Sequence, residues 1–203
     1  MNHWKRKPSG EAMIILGIMM VAIILSTTGC NNSYTPKPKG YVRIDLPAKE
    51  YKKFNPDNCP FSFEHPEYTK VEPDERSASE PCWYNITSKE YQASIHMSYK
   101  PVSGNLPKLL EDTRAFVYKH AMKADDIEEK LIRFEEKKVH GIVYDIKGNA
   151  ASSVQFFVTD STRHFMRGAL YFYTQPNYDS LAPVIHFFRE DIIHLMKTFE
   201  WKK

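Results

Sequence analysis

Cysteine is scarce in this chain: three in 203 residues, at positions 30, 59 and 82. None stands in a C-x-x-C pair or beside a histidine–cysteine set, so zinc and dithiol redox chemistry find no support. Charge of one sign is also lacking. Three of the 28 Lys+Arg fall within the first seven residues, as Lys5, Arg6 and Lys7. Beyond residue 29 there remain 25 basic and 24 acidic side chains, a net +1 without a Lys/Arg block. Such a chain carries no electrostatic footprint for nucleic acid. G-x-S-x-G, H-E-x-x-H, the P-loop and G-x-G-x-x-G are all missing. The glycines of GIVYDIKGNAA do not fall at the spacing that cradles phosphate. No motif indicates a cofactor or a small-molecule substrate, and no repeat or low-complexity tract interrupts the chain.

Long apolar runs are rare too. The single one is AMIILGIMMVAIIL (12–25), about 14 residues against the roughly 20 that a helix needs to cross a bilayer. A basic start, a short apolar core and the small residues Ser26, Thr27, Thr28 and Gly29 describe a secretory signal peptide. Cys30 directly after them points to the bacterial lipoprotein variant, in which the thiol is acylated and the chain is cut before it. Thr27 holds the place where the usual lipobox has leucine. The competing readings are an uncleaved anchor and an ordinary signal followed by an incidental cysteine. Two or three acyl chains hold a protein durably to a membrane. Residues 1–29 are thus expected to be the leader and 30–40 a lipid-attached tether. Pro36 and Pro38 favour extended geometry there, which would place the domain up to roughly 30 Å from the lipid surface. Asn31 stands where an inner-membrane retention signal would show aspartate, and no acidic run follows. The expected location is the periplasmic face of the outer membrane.

Residues 41–203 are long enough for one domain with its own core. FSFE (61–64), CWYNIT (82–87) and YQASIHMSYK (91–100) read as strands. A change to helical period follows, with Leu106, Leu109, Leu110, Thr113, Phe116, Val117 and His120 on one stripe. Asn105 is the expected cap, Pro107 fits the first turn, and His120 reads as a core-edge residue. Then come EKLIRFEEK, VHGIVYDIKG, SSVQFFVTD and RHFMRGALYFYT, separated by hairpin-length connections. Gly168 inside the last of these predicts a bulge or a close backbone approach. A final helix is expected over 179–201, capped by Asn177 or Asp179, with Leu181, Val184, Ile185, Phe188, Ile192, Leu195, Met196 and Phe199 facing inward. The fold class is α+β: an antiparallel sheet of hairpins with two amphipathic helices packed on it.

Three groups of residues are candidates for function. Cys59 and Cys82 both sit in turn-like contexts, and an exported location permits their oxidation. A bridge would close a loop of about two dozen residues, worth roughly 3 kcal/mol by chain entropy; the alternative is two free thiols. His186, Glu190 and His194 are spaced by four on the last helix, within roughly 80° of one another. They fall opposite the apolar stripe, where a divalent ion and a merely solvated polar face are both compatible with the pattern. TDSTRHFMRG (159–168) gathers Asp160, Ser161, Arg163, His164 and Arg167. Asp160 and Ser161 read as turn formers, whereas Arg163, His164 and Arg167 are expected to contact an acidic partner. Phe187 and Ile193 flank the polar side of the last helix and are expected to leave some apolar surface open.

YTPKPKGYVRIDLP, CPFSFEHPEY, PCWYNI, IHMSYK and VQFFVTDSTRHFMRGALYFYTQPNYDSLAPVIHFFREDIIHLMKTFEW together resemble the gliding-motility lipoprotein GldD family of the Bacteroidota. The likeness runs from Cys30 to Trp201. It implies an envelope lipoprotein needed for surface gliding and associated with the type IX secretion apparatus. The family offers no established catalytic residues; Cys30 alone carries over, as the lipid-bearing cysteine. By strand–helix order the chain also looks like the PsbP-type αβα sandwich, an analogy that is silent on function. The implied partners are the membrane, through the lipid, and other gliding and secretion proteins of the envelope. The first functional reading is therefore a non-enzymatic accessory of that machinery. The second is an anchored binding or hydrolytic module for a cell-wall or carbohydrate ligand. A flat, aromatic-rimmed face favours the first, and a deep polar pocket with convergent carboxylates the second.

Overall fold

The structure is a computed structural model that describes residues 10–26, 44–77, 80–119, 123–174 and 177–202. Cys30, the 30–40 tether, Thr27 and His120 lie outside the described residues. The chain divides into two units, Met1–Gly40 and Tyr41–Lys203. In the first, Gly10–Ser26 forms α1, whose apolar residues include the exposed Met13, Ile15 and Leu16. Seventeen residues rise about 25 Å, short of the roughly 30 Å of a hydrocarbon core. Among the described residues no helix is long and apolar enough to cross a membrane.

The second unit is α+β. In chain order it comprises β1 (Tyr51–Phe54), β2 (Phe61–Pro66), β3 (Lys70–Pro73), β4 (Tyr84–Ser88), β5 (Ala93–Pro101) and α2 (Leu106–Tyr118). There follow β6 (Ala124–Phe134), β7 (Val139–Gly148), β8 (Ser152–Thr159), β9 (His164–Phe172), α3 (Tyr178–Thr198) and β10 (Glu200–Trp201). Seven strands pair antiparallel in the order β3-β4-β5-β9-β8-β7-β6, and β1-β2-β10 form a second, small sheet. Period-2 alternation sorts the large sheet into two faces. Ile86, Ile95, Met97, Val143, Val154, Phe156, Val158, Met166 and Leu170 meet Val184, Ile185, Phe188, Ile192, Leu195 and Met196 of α3. On the other face Tyr144, Ile146, Phe157 and Phe165 meet Val117, with Leu106, Leu109 and Leu110 of α2 packed alongside.

The expected hairpin strands stand as β6 to β9, each beside its neighbour in sequence. Small departures have local causes. Asn105 occupies the N-cap position of α2 without capping it; its side chain instead accepts from Ser103 N at 2.8 Å. Asn177 does cap α3, accepting from Ser180 N. β9 is in regular register at Gly168, opposite Phe156. A Cβ there would lie 2.2 Å from the Phe156 ring, so the glycine serves close approach and not a bulge.

The end of the last helix needs correction. α3 stops at Thr198 instead of running to Trp201, and Glu200–Trp201 turns back as β10 on β2. Thr198 Oγ1 bonds the carbonyls of His194 and Leu195 and accepts from Glu64 N at 3.0 Å. That contact with β2 ends the helix and turns Phe199 into extended backbone.

Candidate functional site

The three residues expected to share a partner surface do not share one. Arg163 is exposed, on a turn organised by Asp160, whose Oδ1 accepts from the backbone N–H of Thr162, Arg163 and His164 at 3.0, 2.8 and 2.8 Å. Burial alone would raise the Asp160 pKa, but these donors together hold it below the ordinary carboxylate range. Asp160 is therefore a turn former, bonded to the backbone of His164 and not to its ring. Ser161 beside it is left-handed, at φ 66°.

His164 is only 9 % exposed. Its ring stacks on Trp201 at 5.0 Å and its Nδ1 shares a 2.8 Å hydrogen bond with Tyr99 OH. Burial, more than any neighbouring charge, depresses its pKa. The exposed contact expected of His164 is thus corrected: it belongs to the core layer under α3. Arg167 points to the opposite face, because odd and even positions of a strand alternate. Its guanidinium donates to Gln155 Oε1 at 2.9 Å and lies 4.4 Å from the Phe116 ring centroid on α2.

The polar row on α3 also separates. His186 reaches Glu190 at 3.4 Å, both exposed. His194 is drawn instead to β2 and β1, bonding Glu64 Oε2 at 2.7 Å and stacking 3.6 Å from the Tyr51 ring. Among the described residues no group of three or more His, Cys, Asp or Glu is arranged to hold a metal ion. Phe187 departs from expectation as well. It is buried, stacked on Tyr68, with the Lys49 ammonium 3.5 Å above its ring.

Beneath that contact lies a cluster that the residue pattern did not single out. Asp191 of α3 is 1 % exposed. Its Oδ1 accepts from Lys49 Nζ at 2.6 Å and from Tyr51 OH at 2.9 Å, and its Oδ2 accepts from Tyr68 OH. Lys49 also donates to the Phe187 carbonyl at 2.7 Å. Burial, and after it hydrogen bonding to Asp191, pushes both phenols above their ordinary range. A buried carboxylate needs such donors, since unpaired it would cost several kcal/mol. The signal was present in the sequence. Asp191 stands three residues after Phe188 and four before Leu195, an acid on the apolar stripe. On the side of α3 toward β7, Arg189 grips Asp145 with two bonds of 2.6 Å.

Cys59, between β1 and β2, and Cys82, between β3 and β4, are joined in the structure with Cα atoms 5.7 Å apart. The link ties the small sheet to the β3 end of the large one. Beside β3 and β4 lies an open depression of about 600 Å3 that includes Glu72, Asp74 and Glu75. Its acids do not converge: Glu72 is bound by Lys70, and Asp74 by the Arg76 N–H and Asn85.

The flanks of α2 are different in kind. Phe116 and Tyr118 stand 43 % and 42 % exposed. Each lies under a cation: Lys119 and Arg167 within 5.0 and 4.4 Å of Phe116, and Arg114 5.5 Å from Tyr118. Two residues apart on the helix, the two aromatics stand about 200° from each other around its axis: Phe116 lies on the β9 side, against Arg167, and Tyr118 on the β6 side, bonded to Glu129.

The match to a known family spans the domain built above. Residues 31–201 match the family described as gliding motility lipoprotein GldD. The chain belongs to that family. GldD membership makes it a gliding-motility-related lipoprotein. The match starts one residue after Cys30 and ends at Trp201, within β10. No curated protein matches the chain. Among solved structures it is similar to the solution structure of cyanobacterial PsbP (CyanoP) from Synechocystis sp. PCC 6803. The identity is 8 % and the TM-score 0.45, over 79 % of this chain and 97 % of that one.

Proposed function

We propose that this GldD-family lipoprotein is a non-enzymatic accessory of the gliding-motility and type IX secretion machinery, held to the envelope by acylated Cys30. It contacts a partner protein of that machinery through the exposed aromatics on the flanks of α2. Residues 1–29 serve as the cleaved leader, 30–40 as the tether, and the periplasmic face of the outer membrane is the location. The exported compartment keeps Cys59 and Cys82 oxidised. The observation that supports the contact surface is the exposed pair Phe116 and Tyr118, each under a cation. Aromatic and arginine side chains dominate the energetics of protein interfaces. Arg167 lies against Phe116 from β9, and exposed Arg163 is a separate, weaker candidate.

Two variants expressed in the native host test this reading together. Phe116→Ala with Tyr118→Ala should leave abundance and membrane partition unchanged, reduce gliding and secretion, and remove a partner from cross-linked envelopes. Cys30→Ser should instead lose partition with envelope lipid. Wild-type gliding and secretion in the aromatic double variant would reject the α2 surface, and unchanged membrane partition in Cys30→Ser would reject the anchor.

A further inference from the structure

The two edges of the seven-stranded sheet are unlike. β3 is four residues long and ends in Pro73, two features that blunt an edge. At the other end β6 runs for 11 residues without proline or glycine and, among the described residues, pairs on one side only, with β7. Leu131 on it is 60 % exposed. A long, unbroken edge presents a row of unpaired N–H and C=O groups that another strand can take up.

We propose that β6 pairs antiparallel with β6 of a second copy about a two-fold axis normal to the sheet, Glu129 facing its own counterpart. Such an axis keeps the same sheet face of both copies on one side, so residues that meet must share parity. Odd positions of β6 face α2: Glu129 accepts from Tyr118 OH at 3.0 Å and Ile127 packs with the α2 cluster. Even positions, Ile132 and Phe134 among them, face α3. A bulge between Ala124 and Asp126 starts the regular ladder at Asp126. With Glu129 on the axis, Glu128 meets Lys130, Ile127 meets Leu131, and Asp126 meets Ile132, each twice.

Neighbouring registers are worse. An axis at Lys130 sets that lysine against itself, Ile127 against Arg133 and Glu128 against Ile132. An axis at Glu128 sets Ile127 against Glu129. The strand is acidic in its first half and cationic in its second, the pattern an antiparallel copy of itself complements. Lys130 and Arg133 form no ion pair among the described residues, whereas Lys147 already bridges Asp126 and Glu128. Two mismatches remain: Asp126 lies opposite Ile132, and Glu129 lies against Glu129, where like charges directly opposite weaken a pair.

The test uses the full chain in detergent, with oxidation to cross-link cysteines and sedimentation to read assembly. Glu129→Cys should form a disulfide-linked dimer, as should a mixture of Glu128→Cys chains with Lys130→Cys chains, while neither of those two cross-links well alone. Glu128→Lys should weaken the dimer about tenfold, since two ion pairs become two repulsions, and adding Lys130→Glu should restore it. Glu129→Gln should tighten it. The proposal is overturned if the Glu129→Cys chain, with its Cys59–Cys82 link intact, stays monomeric or cross-links to a different protein. It is equally overturned if Glu129→Gln leaves a monomer.

Discussion

Asp191 shows what one residue can decide. Its carboxylate sits on the apolar stripe of α3, where desolvation penalises charge, and it is kept there by Lys49, Tyr51 and Tyr68. The donors come from two stretches of chain, Lys49 with Tyr51 at the start of β1 and Tyr68 in the β2–β3 connection, so the cluster ties both to α3. Removing the acceptor strands a part-buried ammonium and two hydroxyls. Asp191→Ala is expected to cost about 3 kcal/mol, read as a lower urea midpoint at unchanged slope. Asp191→Asn keeps the shape and one acceptor, and should cost less. A midpoint equal to wild type in Asp191→Ala would mean that the cluster contributes no stability.

Elements are held by what lies across from them. Phe156 of β8 fills the space that Gly168 of β9 leaves empty, and both belong to the sealed layer beneath α3. With a Cβ forced to 2.2 Å from that ring, Gly168→Ala overpacks a site that has no free volume to yield. The expected loss is about 1–3 kcal/mol, measured as a drop in thermal or urea midpoint. A neutral result would show that the β8–β9 pair can shift as a unit. The end of α3 is also decided from outside. The stripe continues to Phe199, so periodicity alone carries the helix one turn too far. Thr198 stops it by taking a hydrogen bond from Glu64 on β2.

Stability of the whole domain should fall on the acid side of neutrality. His65 is buried, its Nδ1 2.9 Å from Thr69 Oγ1, and Thr69 spends its own hydroxyl proton on the Pro66 carbonyl. His65 therefore donates from Nδ1 to Thr69 Oγ1. Burial first, then the Lys52 charge, lowers its pKa from 6.5 to about 4. The unfolded chain takes up that proton near 6.5 and the folded one only near 4. The contribution is therefore complete above about pH 6.5 and is lost as pH drops toward 4, by on the order of 2–3 kcal/mol. His96 and His164, depressed by burial, act in the same direction. Unfolding free energy measured from pH 7 to 4.5 should decline less steeply in His65→Gln; parallel curves would remove His65 as the cause.

Much of this protein follows from local pattern. Alternation in Val154, Phe156 and Val158, the helical stripe of α3 and the hairpin-length separators suffice for an α+β domain, because period and turn chemistry act within a few residues. The extent of the resemblance, from Cys30 to Trp201, was equally legible. What required the tertiary structure is whatever depends on residues far apart in sequence. β5 lies beside β9, and β10 returns to β2. His164 is buried under Trp201 while Arg167, three residues on, faces α2. Pattern placed Arg163, His164 and Arg167 together by proximity in sequence, but a strand turns alternate side chains to opposite faces, and the layers packed on each face decide which are covered. Asp191 makes the same point. A charge on an apolar stripe is visible in the sequence, but its three donors come from 123 to 142 residues away, and only the fold brings them to it.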